Sequence, residues 1–79
     1  MNEEQKTHQA FINSFRVIVL GVDFEEIIES KYPFFVHNPA RRIPKKQNIK
    51  ALLDYFVEIR DFKKCIAIKK YIKERQIML

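Results

Sequence analysis

Glycine is nearly missing from this chain. Gly21 is the only one among 79 residues, beside three prolines. A turn-rich all-β fold draws on many glycine-containing turns, so that class is disfavoured. A phosphate-cradling loop built on repeated glycines is excluded. Cysteine is equally scarce. Cys65 stands alone, so no disulfide can form within one chain, and a reducing, cytoplasmic setting is the expectation. Histidine and cysteine together supply His8, His37 and Cys65, widely spaced. A structural zinc site takes about four such ligands at short spacing, so no metal is expected.

Long apolar runs are also lacking. The longest, VIVLGV from Val17 to Val22, is closed off by Arg16 and Asp23. A membrane-spanning helix needs about 20 apolar residues. The first nine residues, MNEEQKTHQ, are polar and have no basic n-region of a secretory signal. A soluble protein without membrane association is expected.

What is present describes one small folded domain over residues 1–79. Apolar residues make up 47%, as in ordinary globular proteins. A chain this short buries roughly 60% of its unfolded surface, and such domains often lean on self-association. The charge is uneven. Residues 1–40 carry six acids against three bases, net −3. Residues 41–79 carry twelve bases against four acids, net +8. This asymmetry points to a polyanionic partner, or to one half docking on the other.

Periodicity predicts four helices. Asn2 is a fitting N-cap for a first helix over Glu3–Leu20, with acids in the first turn. Phe11, Phe15, Ile18 and Val22 form its apolar stripe, flanked by Ile12 and Val19. Val17 and Leu20 make its last turns apolar all round, which implies deep burial or a shared interface. The β-branched residues in Phe15–Val22 leave a strand there as the competing reading. Gly21 ends the helix in a left-handed conformation. VDFEEI then reads as a capping box with a hydrophobic staple. Asp23 is placed to accept the Glu26 amide, Glu26 to reach back, and Val22 to pack on Ile27. A second helix from Phe24 to about Lys31 buries Phe24, Ile27 and Ile28. It stops ahead of Pro33, which disfavours helical backbone at Tyr32.

Tyr32–Asn48 is a connector with three prolines. YPFFV puts Tyr32, Phe34 and Phe35 in an irregular segment. Such a segment either closes one end of a core or docks a partner. A third helix starts near Pro44 or Lys45, with Ile49, Leu52, Leu53, Phe56 and Val57 inward and Tyr55 and Ile59 on a second apolar face. Asp61 caps a fourth helix from Phe62 to about Arg75. Its apolar arc is Phe62, Cys65, Ile68 and Ile72, with Tyr71 at the edge. Lys63, Lys69, Lys70 and Lys73 lie opposite, around Ile66. The two-residue link Arg60–Asp61 predicts an antiparallel hairpin. The tail Ile77, Met78, Leu79 is apolar and is expected to pack.

Catalytic constellations are absent from this pattern. Cys65 falls on an apolar face, where a thiol behaves as a small hydrophobe. Glu25, Glu26 and Glu29 sit where carboxylates serve a helix dipole. No enzyme activity, cofactor or small-molecule substrate is expected. The stretch ARRIPKKQNIK concentrates Arg41, Arg42, Lys45, Lys46 and Lys50 without an acid. Together with the lysines of the fourth helix it is a candidate contact for nucleic acid, with neighbouring aromatics for base stacking. Plain solvation of helix faces is the competing reading. Lysines at a helix start oppose the dipole, so something else must favour them.

Residues Ile49–Glu74 resemble the UVR motif, a helical hairpin of bacterial excision-repair nuclease subunits and of some regulators of kinases and proteases. In FKKCIAIKKYI, Phe62 stands for the family's aromatic and Cys65 and Ile66 for its two alanines. Ile68 stands for its leucine, Lys69 for its arginine and Ile72 for its isoleucine. Lys63 and Lys70 replace two family acids. The resemblance covers about a third of the chain. It implies a protein-binding hairpin that pairs with a similar hairpin in its own or another subunit.

The expectation is therefore an all-α domain of four helices with a C-terminal antiparallel hairpin. The function expected first is that of a non-enzymatic adaptor or regulator working through helix-mediated protein contact, including a homodimer. Tyr32, Phe34, Phe35, Tyr55, Ile59, Ile77, Met78 and Leu79 are its candidate interface. The second is a nucleic-acid-binding accessory protein using Arg41, Arg42, Lys45, Lys46, Lys50, Lys63, Lys69, Lys70 and Lys73.

Overall fold

The computed structural model describes all residues from Met1 to Leu79. It is all-helical: α1 (Glu3–Ile18), α2 (Phe24–Ile28), α3 (Lys46–Glu58) and α4 (Phe62–Glu74). The chain divides into two units, Met1–Pro44 and Lys45–Leu79.

In the first unit, α1 opens on a capping box. The Asn2 side chain accepts from the Gln5 amide at 2.8 Å, and the Gln5 side chain accepts from the Asn2 amide at 3.0 Å. Two of the first turn's orphan donors are thereby satisfied. The reciprocal box expected at Asp23 is not what forms there. Asp23 accepts from the Glu25 amide at 3.0 Å, one residue earlier than expected. Helix is the outcome for Phe15–Ile18, and the strand reading falls. The helix stops at Ile18, short of Leu20. Gly21 takes φ +71°, and the Val22 amide closes the end on the Arg16 carbonyl at 3.0 Å. α2 ends at Ile28 rather than Lys31, because Ser30 turns both its amide and its hydroxyl onto the Ile27 carbonyl. Ile27 is buried, whereas Ile28 is 48% exposed and does not enter the core as expected.

The buried face of α1 keeps Phe15 and Ile18 of the expected stripe but not Phe11. Its centre is Ala10, Ser14 and Ile18, flanked by Asn13 and Phe15, while Phe11 and Ile12 are half-buried. Ser14 has no exposed surface at all. Small and polar residues occupy the centre because the connector's backbone lies there and needs hydrogen-bond partners.

In the second unit, α3 and α4 pack as a helical hairpin. Ile49, Leu52 and Phe56 are buried on α3, and Cys65, Ile68 and Tyr71 on α4. Each set steps by three or four residues, the spacing that keeps one helix face inward. Fully burying one such side chain stabilises by about 1.5–3 kcal/mol. Asp61 caps α4 as expected, accepting from the Lys64 amide at 3.4 Å. Its carboxylate also holds the Lys64 ammonium at 2.9 Å, and that ammonium lies 5.8 Å from the Phe56 ring centre. One lysine thus ties the start of α4 to the buried aromatic of α3.

Both helices of this unit end in a Schellman turn. In the first, the Asp61 amide donates to the Phe56 carbonyl and the Arg60 amide to the Val57 carbonyl. In the second, the Ile77 amide donates to the Ile72 carbonyl and the Gln76 amide to the Lys73 carbonyl. The motif requires a left-handed residue, usually glycine. Here Arg60 (φ +60°) and Gln76 (φ +53°) take that role.

Candidate interaction surfaces

The connector of the first unit is pinned by two adjacent α1 residues. Asn13 Nδ2 donates to the Tyr32 carbonyl at 2.7 Å and to the Phe34 carbonyl at 2.9 Å. Its Oδ1 accepts from Gln9 Nε2 at 2.8 Å. Ser14 Oγ accepts from the Val36 amide at 2.9 Å and lies 2.7 Å from His37 Nδ1. Ser14 Oγ is therefore shared between the Val36 amide and the His37 ring. Burial disfavours the charged ring, setting the His37 pKa below its ordinary value of 6.5. Phe35 meets the His37 ring edge-on at 5.8 Å. A serine beside a histidine has the look of an activated nucleophile. Ser14 has no exposed surface for a substrate, so this pair serves the fold.

The aromatic segment is therefore laid over α1. Phe34 and Phe35 are half-buried, and Tyr32 is exposed at its edge, with Lys31 over its ring at 5.6 Å. Of the other interface candidates, Tyr55 is half-buried against the Phe56 ring, and Ile59 is exposed. Ile77 is half-buried by the second Schellman turn, whereas Met78 and Leu79 are exposed. The tail packs through its first residue only.

All nine candidate cationic residues are exposed. Arg41 curls onto its own loop, with Nε donating to the Ile43 carbonyl at 2.9 Å. Lys50 pairs with Asp54 at 2.9 Å, and Lys70 stands 3.8 Å from Glu74. Exposed pairs of this kind add little stability. Arg42, Lys45, Lys46, Lys63, Lys69 and Lys73 have no acidic partner. Lys45 occupies the N-cap of α3 without a side-chain hydrogen bond to the helix.

The outer face of α4 departs from expectation. Phe62 does not join the buried arc; it is 60% exposed. The buried arc of α4 runs through Cys65, Ile68 and Tyr71, and the helical step leaves Phe62 on the outer side of it. Ile66, one turn on, is 67% exposed. Residues four apart share a face, so Phe62 and Ile66 form an outward apolar pair. Lys69 and Lys73 continue the same line, and Lys63 and Lys70 border it. The unit is strongly basic: residues 45–79 carry ten bases against four acids, net +6.

Sequence reasoning missed three features. Asn13 and Ser14 were readable as a polar pair inside an apolar stripe. The spacing of Phe62 to Cys65 fits an inward position, yet the ring is 60% exposed. Leu20 and Ile28 stayed in the apolar pattern yet face outward in the first unit.

No group of three or more His, Cys, Asp or Glu side chains is placed to hold a metal ion. No helix is long and apolar enough to cross a membrane. No protein-family model, curated protein or solved structure matches this chain.

Proposed function

We propose that this protein is a non-enzymatic adaptor that binds another protein through the outer face of α4. The single observation behind this reading is the outward pair Phe62 and Ile66 bordered by lysines. An apolar centre with a charged rim is the anatomy of a protein interface. Helix-in-groove recognition uses anchors four residues apart in this way. The resemblance of Ile49–Glu74 to the UVR hairpin supports a protein-binding role, while Lys63 and Lys70 in place of two family acids point to a different partner. A photo-crosslinking residue at position 66 tests it in cell extract. The expected result is one defined crosslinked protein that disappears when Phe62→Asp is added. Crosslinks spread over many proteins, or unaffected by Phe62→Asp, would sink the reading.

A second reading is contact with nucleic acid, favoured by the unpaired Lys63, Lys69 and Lys73 on one helix. That face carries a single exposed ring, Phe62, for base stacking, which is why this reading stands second. A mobility shift across a salt series tests it. Binding that weakens steeply with salt and is lost on changing these lysines to alanine supports it. Absence of binding at low salt ends it.

A further inference from the structure

We infer that the partner of the α4 face is a second copy of this chain, which presents its acidic α2 region to the lysines. The inference rests on the docking-face reading above and names its occupant. Two sets of unmatched side chains motivate it. On the second unit, Phe62 and Ile66 face outward among lysines, of which Lys63, Lys69 and Lys73 carry no ion pair. On the first unit, Ile28 is 48% and Leu20 is 59% exposed. Glu25 and Glu29 flank Ile28, and Glu26 completes an acidic group of three, all exposed. None of the three carboxylates has a cationic partner. The two sets are opposite in sign: Ile28 lies next in sequence to carboxylates, and Phe62 and Ile66 lie among lysines.

Contact between them would cover Phe62, Ile66 and Ile28 and bring carboxylates to the unpaired ammonium groups. Apolar burial supplies attraction, at roughly 25 cal/mol per Å² removed from water. The charges fix which surface meets which, because like surfaces repel. A lysine face cannot pair with another lysine face, so hairpin-to-hairpin pairing through this surface is disfavoured. The contact joins two different patches. It closes as a dimer when two copies exchange both patches, and otherwise it propagates. The chain's net charge of +5 opposes association of any kind. Moderate salt screens that long-range repulsion beyond about 8–10 Å and leaves the short-range pairs in place.

Charge reversal on purified protein tests the inference. Sedimentation equilibrium is run on wild type, on Lys63→Glu/Lys69→Glu/Lys73→Glu, on Glu25→Lys/Glu26→Lys/Glu29→Lys, and on an equimolar mixture of the two variants. All six positions are exposed, and circular dichroism checks that each variant stays helical. Wild type is expected to exceed the 9.6 kDa monomer mass with rising concentration. Each variant alone is expected to associate roughly tenfold or more weakly, and the mixture to recover association. A photo-crosslinker at position 66 in a mixture of light and isotope-labelled protein is expected to give mixed-isotope crosslinks to residues 20–29. Failure of the mixture to recover, or crosslinks elsewhere, overturns the inference. A strictly monomeric wild type overturns it too. In that case a defined crosslink from position 66 to another protein leaves the docking-face reading standing, and absence of both removes the two together.

Discussion

Asn13 reaches over nineteen positions of sequence to the Tyr32 carbonyl, at 2.7 Å, with an amide side chain that is almost wholly buried. The same nitrogen serves the Phe34 carbonyl, so one side chain fixes two backbone groups of a segment with no helix or strand of its own. Backbone carbonyls under a buried segment need such partners.

Asn13→Ala leaves those carbonyls without their donor and is expected to destabilise the first unit by about 1–3 kcal/mol. Asn13→Asp is expected to be worse, about 3–5 kcal/mol, because it aims an unpaired buried charge at two carbonyl oxygens. Urea unfolding of both variants checks the order. A milder effect from the aspartate would refute the hydrogen-bond assignment.

His37 gives a signed pH dependence. Its folded pKa lies below the ordinary 6.5 because burial disfavours the charged ring. The unfolded chain therefore binds a proton first as pH falls. Stability is full above the unfolded value, declines as pH drops from there to the folded pKa, and levels off below it. Unfolding curves between pH 8 and 5 are expected to show this slope (roughly one proton at most), and His37→Gln is expected to flatten it. An NMR titration placing His37 above 6.5 would contradict the burial argument.

Arg60 holds a left-handed backbone, which disfavours a side chain by roughly 1–2 kcal/mol. Arg60→Gly removes that strain but adds freedom to the unfolded chain, an opposing effect of about 0.4–1 kcal/mol. A net gain of about 0.5–1 kcal/mol is expected from these opposing contributions. Arg60→Val is expected to destabilise, because a β-branched residue is least suited to that region. Thermal melts of the two variants should move in opposite directions.

Phe56 and Phe62 separate stability from contact. Phe56 is fully buried, so Phe56→Ala is expected to cost about 3–5 kcal/mol. Phe62 faces outward, and Phe62→Ala is expected to change stability by at most about 0.5 kcal/mol. Denaturation midpoints measured side by side decide this. A large loss from Phe62→Ala would return that ring to the core.

Helix number, order and approximate bounds were legible in the sequence, because periodicity and caps agree at Asn2, Gly21 and Asp61. The inward faces of α3 and α4 were legible for the same reason, apart from Val57 and Phe62, which are exposed. The three-residue spacing of Phe62 to Cys65 fits an inward position, but the buried arc is centred further round, on Ile68, with Tyr71 inside it. The polar pair Asn13 and Ser14 stands out inside an apolar stripe, but what it binds was hidden. Its partners lie 19 to 23 positions away in an irregular segment, where no period links them. Which cations are unpaired was likewise hidden, since pairing depends on side-chain geometry rather than on order along the chain.

The pins from Asn13 and Ser14 to residues 32–37 bear on how this fold can tolerate changes in length. They bracket a stretch from Phe15 to Lys31 whose turns at 19–23, with Leu20, Gly21 and Asp23 exposed, lie outside the bracketed bonds. Extra residues spliced in at those turns leave both anchor points in place and lengthen a loop at small entropic expense. Deleting one residue from the connector between Tyr32 and Val36 would instead throw every carbonyl and amide out of step with its α1 partner.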